Sequence, residues 1–158
     1  MEREGRPAVH DTFGVGQVLQ HERTADGRYY LVLRGIWRAR RLRELDTDKL
    51  YRVVEAGRLC DQVEDHAQVY ALVETLRGCL LCLQANHPKL VGVLTRLFQE
   101  DEGPGPIADR LACVLFTDPV ERQALLETRR VEARLQAIID RLSELIARGC
   151  VPGSDALH

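Results

Sequence analysis

The sequence predicts an α+β protein in which an N-terminal antiparallel β meander precedes a C-terminal helical bundle. Between residues 12 and 60, short segments rich in aromatic and β-branched residues alternate with turn residues. From about Gln62 the apolar residues recur instead at steps of three and four, which is the period of an amphipathic helix. The chain has 158 residues, of which 45% are hydrophobic and 29% charged, and these values are typical of a globular protein that can bury a core.

The first two strands are predicted from a hairpin signal. The segment "TFGVGQVLQHER" contains Gly14 and Gly16, which can mark a bulge or a close approach of two backbones. Asp26-Gly27 then predicts a tight hairpin turn, because glycine tolerates the positive φ that such turns require. In the following segment "YYLVLR", Tyr29 and every second residue after it share one face of a strand.

Gly35 is expected to permit a tight reversal or a sharp bend, which would separate "YYLVLR" from the next strand, "IWRARRLREL". The polar turn "DTD" leads to a last strand, "KLYRVVEAGRL". If the arginine-rich strand alternates regularly, Arg38 and Arg40 share one face with Ile36 and Leu42. Arg41 and Arg43 then share the other face with Trp37 and Ala39.

The helical part begins with an apolar stripe that predicts one long helix. Pro88 is expected to end this helix, because proline disfavours helical geometry in the residue before it. A second helix is predicted in "KLVGVLTRLFQ", and a third begins near Pro106, which suits a first helical turn. The stripe consists of Val63, Ala67, Tyr70, Val73, Leu76, Leu80 and Leu83.

Two further helices are predicted after residue 116. Asp118 can cap the first of them, with Pro119 at its first position and Glu121 as the acid of a capping box. The last helix spans about 130–148 and ends at Gly149 as a left-handed cap. Its apolar seam is formed by Val131, Leu135, Ile138, Leu142 and Leu145. The predicted organisation is a β portion over 1–61, a helical bundle over 62–149 and a flexible tail over 150–158.

The residues argue against several classes of enzyme. A phosphate-binding loop needs Gly-Lys-Ser/Thr, but Lys49 and Lys89 follow Asp48 and Pro88. Ser143 and Ser154 are the only serines, and neither lies in a strand-to-helix elbow that would expose a nucleophile. No cofactor and no metal site are predicted.

Cys79 and Cys82 form the motif "CLLC", for which a metal or redox role is one hypothesis. Burial among the leucines of a helix is the favoured interpretation, because a zinc site needs two further ligands and the sequence has no second pair. Five cysteines, an odd number, without an export signal indicate reduced thiols and a cytoplasmic protein. No segment approaches the length of a membrane span.

The net charge of −2 argues against a general binder of polyanions, although residues 1–60 carry 12 Lys/Arg against 9 Asp/Glu. A nucleic-acid platform would gather arginines and aromatic residues on one side, whereas the predicted strand splits them. Structural arginines are therefore favoured over a nucleic-acid groove.

Two blocks of the chain resemble one family. "GVGQVLQHERTADGRYYLVLRGIWRARRLREL" resembles the middle of the N-terminal domain of Lon protease, the LON domain, with its Asp-Gly hairpin and a Gly-x-x-Arg-x-Arg step at Gly35, Arg38 and Arg40. "IADRLACVLFTDPVERQALLETRRVEARLQAII" is similar to the helical end of the same domain. The two blocks occur in the order that the family has, and the likeness runs from about Phe13 to Arg148.

The resemblance implies a PUA-like β portion, here a partial barrel, followed by helices. It also implies a free-standing bacterial protein that binds unfolded or extended polypeptide and has no ATPase or peptidase activity. Gly14, Gly27, Gly35, Arg38 and Arg40 are expected to serve the fold, with the two arginines fixing the bend through carboxylate or carbonyl contacts.

Tyr30 and Trp37 are the candidate polypeptide contacts. The family begins with strands that precede the one at Gly14, and this chain supplies only "MEREGRPAVHD" there. An incomplete barrel is expected to leave a strand edge open to a partner or to a second copy of the chain. An RNA-binding PUA-like module is the alternative function, with a weaker basis.

Overall fold

The computed structural model describes residues 7–84, 88–96 and 103–148. The chain divides into two compact units, one ending at Cys60 and the other beginning at Asp61. The described part of the first unit holds a sheet and that of the second holds helices, so the predicted α+β class is confirmed. The predicted cap at Gly149 and the tail over 150–158 lie outside the described residues.

The first unit is a three-stranded antiparallel sheet in the order β1-β2-β3. Its strands are β1 (Thr12–Arg23), β2 (Tyr29–Leu45) and β3 (Val53–Leu59). The predicted reversal at Gly35 is wrong, because β2 runs through it as one strand of 17 residues, while a bend within that strand stays a prediction. Gly35 has a negative φ, and nothing lies within 4 Å of the position a Cβ would take, so neither conformation nor space demands a glycine there.

The second unit contains five helices among the residues described. They are α1 (His66–Gln84), α2 (Pro88–Arg96), α3 (Pro104–Leu115), α4 (Pro119–Glu127) and α5 (Val131–Arg148). Asp118 caps α4 as predicted, since its carboxylate accepts a hydrogen bond of 3.0 Å from the N–H of Val120. The carboxylate of Glu121, expected in a capping box, accepts a hydrogen bond of 2.5 Å from Arg141 in α5.

The core of the helical unit is apolar and draws on four of the helices. The predicted seam of α5 is confirmed, with Leu135, Ile138 and Leu142 fully buried. The predicted stripe of α1 is right at Leu76, Leu80 and Leu83, but Ala67 and Tyr70 are exposed and Val69 is buried instead. One residue is a rotation of about 100° around a helix, so the first turns of α1 bury a different side from the one the stripe predicts. The other fully buried core residues are Leu76, Leu83, Leu94, Ala108, Leu111 and Val131.

An ion pair joins Asp61, at the start of the helical unit, to Arg134 in α5. The guanidinium of Arg134 donates to both oxygens of Asp61 at 2.9 and 2.8 Å and to the carbonyl of Thr128 at 3.1 Å, and it lies 3.4 Å from Asp109. Gly105 packs against this pair, where a Cβ would overlap the Asp61 carboxylate. The segment that leads into α1 is thereby attached to the N-terminal end of α5.

A second contact reinforces the same attachment. One oxygen of the buried Glu132 carboxylate accepts hydrogen bonds from the N–H groups of Glu64 and Asp65, at 2.7 and 3.1 Å. Burial alone would raise the pKa of Glu132, but these backbone donors outweigh it and hold the pKa below its ordinary value. Asp65 in turn accepts from the N–H of Ala67 at 2.8 Å and so caps α1.

Candidate functional site

The hairpin between β1 and β2 is closed by the turn that the sequence predicts. Gly27 has φ = +85°, which glycine adopts without strain. Asp26 accepts hydrogen bonds from the side chain of Arg28 at 2.6 Å and from the hydroxyl of Thr24. The hydrogen bond from Arg28, followed by that from Thr24, lowers the pKa of Asp26 to about 2. This turn holds the two strands that form the candidate site.

Three bulges interrupt the register of the sheet. Leu19 in β1 and Ile36 in β2 are extra residues in the β1–β2 ladder, and Leu42 is an extra residue of β2 in its ladder with β3. A bulge places two residues opposite one and so changes which side chains share a face. Gly16 belongs to this feature, because a Cβ there would lie 2.9 Å from the carbonyl oxygen of Arg34.

The bulges change the predicted faces of the arginines. Arg41 pairs with Ala56 and Arg43 with Glu55, which are consecutive residues of β3, so Arg41 and Arg43 point to opposite faces. The prediction that they share a face is therefore wrong, and the cause is the extra residue Leu42. Arg38 and Arg40 pair with Leu59 and Gly57, two residues apart, and do share a face.

The strand lengths leave one edge of the sheet open. β3 pairs with β2 only from Arg38 to Leu45, while β1 pairs with β2 along its whole length from Arg40 back to Tyr29. Within the described residues, the side of β2 away from β1 is therefore without a partner strand over residues 29–37. We call these residues the open edge. Their backbone has unpaired groups of the kind to which another strand can hydrogen-bond.

Both predicted contact residues lie on the open edge. Tyr30 is 72% exposed near its outer end, and Trp37 is half-buried at its inner end. Tyr30 and Trp37 are seven positions apart, so regular alternation would place them on opposite faces. The bulge at Ile36 compensates for this odd spacing. In β1, Val15 and Gln17 lie on the same face, and they pair with Trp37 and Arg34 of β2. Tyr30, Arg34 and Trp37 consequently share one face.

The opposite face of the open edge is apolar and exposed. Tyr29, Leu31 and Leu33 share it, as the sequence predicts, and Val18 pairs with Leu33 from β1. Each of these four side chains is between 51% and 59% exposed. A row of half-exposed apolar side chains beside an unpaired strand can bind the side chains of an added strand. The alternation predicted which residues share this face, and an open strand edge was expected from the incomplete barrel that the family resemblance implies.

The residues predicted to serve the fold lie in different surroundings. Gly14 and Gly35 have open space where a Cβ would be, and only Gly27 has a conformation that favours glycine. Arg38 is buried beside Gly14, whereas Arg40 is exposed and pairs in register with Thr12. The expected role of the two arginines in fixing a bend at Gly35 stays a prediction.

Other arginines of the sheet are held by carboxylates. Asp11 accepts from Arg41 at 2.6 and 3.0 Å, which lowers the pKa of this carboxyl group. Arg43 lies 2.5 Å from Glu55, directly opposite in the sheet. A further pair joins Arg52 and Glu44 at 2.8 Å. These pairs neutralise much of the positive charge that the sequence concentrates here.

The two cysteines of "CLLC" do not have equal environments. Cys79 is half-buried, while Cys82 is exposed and so differs from the burial predicted for both. Burial, and then the neighbouring Cys82, raise the pKa of the Cys79 thiol, which is unfavourable for a reactive thiolate. Among the described residues, no group of three or more His, Cys, Asp and Glu side chains is arranged to hold a metal ion. Nor has any described helix the length and apolar character that a membrane span requires.

A solved structure shares this arrangement of sheet and helices. The N terminal domain of Mycobacterium avium complex Lon protease matches with a TM-score of 0.66 and 24% sequence identity. The match covers 87% of this chain and 72% of that one, and at this identity it shows the fold alone. The fold is thus that of a Lon N-terminal domain.

The sequence comparison identifies the family. The model of the ATP-dependent protease La (LON) substrate-binding domain matches residues 1–144, so the chain belongs to this family. It is also 30% identical over 140 residues to Lon protease of Azorhizobium caulinodans. That alignment covers 84% of this chain but 16% of the relative, so the chain spans about a sixth of the length of that protease.

Proposed function

We propose that this domain binds extended or unfolded polypeptide by adding a segment of it as a strand to the open edge, residues 29–37 of β2. The observation that carries the proposal is the mismatch in strand length, which leaves this part of β2 without a neighbour on one side in the described residues. In strand addition, backbone hydrogen bonds supply affinity and alternate side chains supply specificity. The membership in a substrate-binding family supports the same class of partner.

The apolar face gives the bound segment its side-chain contacts. An added strand places every second side chain beside Tyr29, Leu31 and Leu33, about 5 Å away between Cβ atoms. Because these three side chains are 54–59% exposed, binding removes further apolar surface from water. Tyr30 and Trp37 would contact the alternate side chains of the segment on the other face.

The domain has no chemistry of its own in this proposal. The family match concerns the substrate-binding domain rather than an ATPase or peptidase domain, and the sequence lacks a phosphate-binding loop and a serine in an exposed elbow. The cytoplasmic location stays a prediction, consistent with Cys60, Cys79, Cys82 and Cys113, none of which forms a disulfide among the described residues. That the domain acts as a free-standing protein is also part of the proposal.

The direct experiment measures binding of a fluorescent nine-residue peptide with alternating valine and threonine, by anisotropy, to the full chain. The Leu31→Lys variant puts a charge on the apolar face at a position 54% exposed, where the fold tolerates it. We expect this variant to bind at least about tenfold more weakly, because the contact of one leucine is worth about 1.5 kcal/mol. Val120→Lys, at a residue of α4 that is 74% exposed, is the matched control and should bind as the native chain does.

Two results would contradict the proposal. One is an affinity of Leu31→Lys equal to that of the native chain. The other is the absence of any binding, with the native chain found monomeric and folded. A second copy of the chain offers the same edge, so sedimentation velocity at several concentrations must accompany the titration. Self-association abolished by Leu31→Lys would make the homodimer the occupant of the open edge.

RNA binding is the weaker alternative. Arg41, Arg43 and Arg52 are each bound to a carboxylate, and such pairs reduce the positive charge that is available to phosphates. The salt dependence of binding to a single-stranded RNA of mixed sequence tests this alternative. Binding that falls steeply with salt and is lost in Arg40→Glu would favour it over the polypeptide proposal.

A further inference from the structure

Arg34 differs from the ion-paired arginines of the sheet. It lies on the open edge, on the face of Tyr30 and Val32, and its partner in β1 is the neutral Gln17. Within the part of the chain that the structure describes, no carboxylate lies within ion-pair distance of its exposed guanidinium. Arg41 and Arg43, further along the same strand, both have such a partner.

The position of Arg34 gives this charge a specific neighbour. A strand added to the open edge places one of its side chains directly opposite Arg34, with the two Cβ atoms about 4.5–5.5 Å apart. An acidic side chain there forms a favourable cross-strand pair, whereas a basic one is repelled. No other charged residue lies within residues 29–37.

We infer that Arg34 determines the specificity of the open edge, and that the preferred partner is an extended acidic and apolar segment. In such a segment apolar residues recur at every second position, against Leu31 and Leu33. An aspartate or glutamate lies opposite Arg34, at one of the alternate positions of the segment that the apolar residues leave. The charge also sets the register, because a shift of two residues keeps every side chain on its face but separates the two charges. This inference rests on the proposed function.

The experiment compares three peptides that differ at one residue. Each alternates valine and threonine over nine residues, and the central threonine is replaced by glutamate, glutamine or lysine. Binding to the full chain is measured by fluorescence anisotropy at low salt. We expect the glutamate peptide to bind about two- to fivefold more tightly than the glutamine peptide, and the lysine peptide to bind most weakly.

Variants of the protein test whether Arg34 is the cause. In Arg34→Glu the order of the three peptides should reverse, and in Arg34→Gln the preference should vanish. Arg58→Glu is the matched control: Arg58 is also exposed, but it pairs with Ala39 outside the open edge and should leave the preference unchanged. Raising the salt to 0.5 M should shrink the difference between glutamate and lysine peptides, because exposed charges are screened.

The outcomes separate this inference from the proposal on which it rests. If all three peptides bind the native chain equally and Leu31→Lys weakens them all, the open edge binds polypeptide but Arg34 does not select its charge. If Arg58→Glu reverses the order as Arg34→Glu does, the preference comes from overall charge, and the inference is wrong. If none of the peptides binds, the proposed function itself fails.

Discussion

Removing either partner of the ion pair between Asp61 and Arg134 should destabilise the helical unit, but by different amounts. The side chain of Arg134 is 1% exposed, whereas that of Asp61 is 35% exposed. Asp61→Ala therefore leaves a cation buried, and Arg134→Met leaves a carboxylate that water can reach. We predict that Asp61→Ala destabilises the helical unit more than Arg134→Met does, although the arginine makes more of the contacts.

The magnitudes follow from this asymmetry. Removing one partner of a buried pair costs about 3–5 kcal/mol when the other charge stays buried. Asp109, 3.4 Å from Arg134, offsets part of that cost, so we expect about 3 kcal/mol for Asp61→Ala. Methionine fills much of the space of an arginine side chain, and buried ion pairs are often replaced by apolar residues at little cost. For Arg134→Met we expect about 1–2 kcal/mol.

Urea denaturation of the full chain, followed by circular dichroism at 222 nm, measures the helical unit. Glu64→Gln is the control, because it breaks the exposed pair between Glu64 and Arg130, whose side chains are 60% and 50% exposed. Such pairs contribute about 0–1 kcal/mol, so this variant should unfold close to the native midpoint. The reasoning is refuted if Arg134→Met lowers the unfolding free energy as much as Asp61→Ala, or more.

Three further predictions concern single residues of the two units. Leu111→Ala should lower the unfolding free energy measured in urea by about 2–5 kcal/mol, because this side chain is fully buried in the core, and a change below 1 kcal/mol would contradict the packing described. Gly27→Ala should destabilise the sheet by about 1–2 kcal/mol in thermal unfolding, because the φ of Gly27 is +85°. Gly35→Ala should leave the stability of the sheet unchanged, because Gly35 has a negative φ and open space where a Cβ would be. Equal effects of the two variants would refute this distinction. The carboxyl group of Asp26, followed by the NMR signal of its carbon, should titrate near pH 2, because Arg28 stabilises the ionised form. The resulting stabilisation of the turn is present above pH 4 and is lost as the pH falls toward 2. A titration midpoint near pH 4 would contradict this prediction.

The helical unit was largely predictable because its signals are local. The seam of α5 repeats over about four turns. Asp118 with Pro119 marks the start of α4 without reference to any distant residue. The pair of Asp61 and Arg134 could not be predicted in this way. The two residues are 73 positions apart, and neither is part of a local pattern.

The sheet was predicted in outline, but its faces were not. Alternation assigns faces correctly only between bulges. Gly16, which the sequence marks as a candidate for a bulge or a close approach of two backbones, lies at the register shift opposite Ile36, whereas Leu19 and Leu42 carry no sequence signal that distinguishes them from neighbouring apolar residues. Each extra residue reverses the assignment beyond it. For this reason the faces of Arg41 and Arg43 were predicted wrongly, and the common face of Tyr30 and Trp37 was not seen.

The open edge depends on the relative lengths of the strands more than on any single side chain. β2 has 17 residues and β3 has seven, so the outer part of β2 extends beyond its neighbour. Sheet edges are usually protected against pairing by lysine, proline, charge or bulges. Residues 29–37 carry one charge, Arg34, and one bulge, Ile36, near the inner end. We therefore expect an edge with so little protection to accept a strand, and we expect its single charge to decide between segments that the backbone alone would bind equally well.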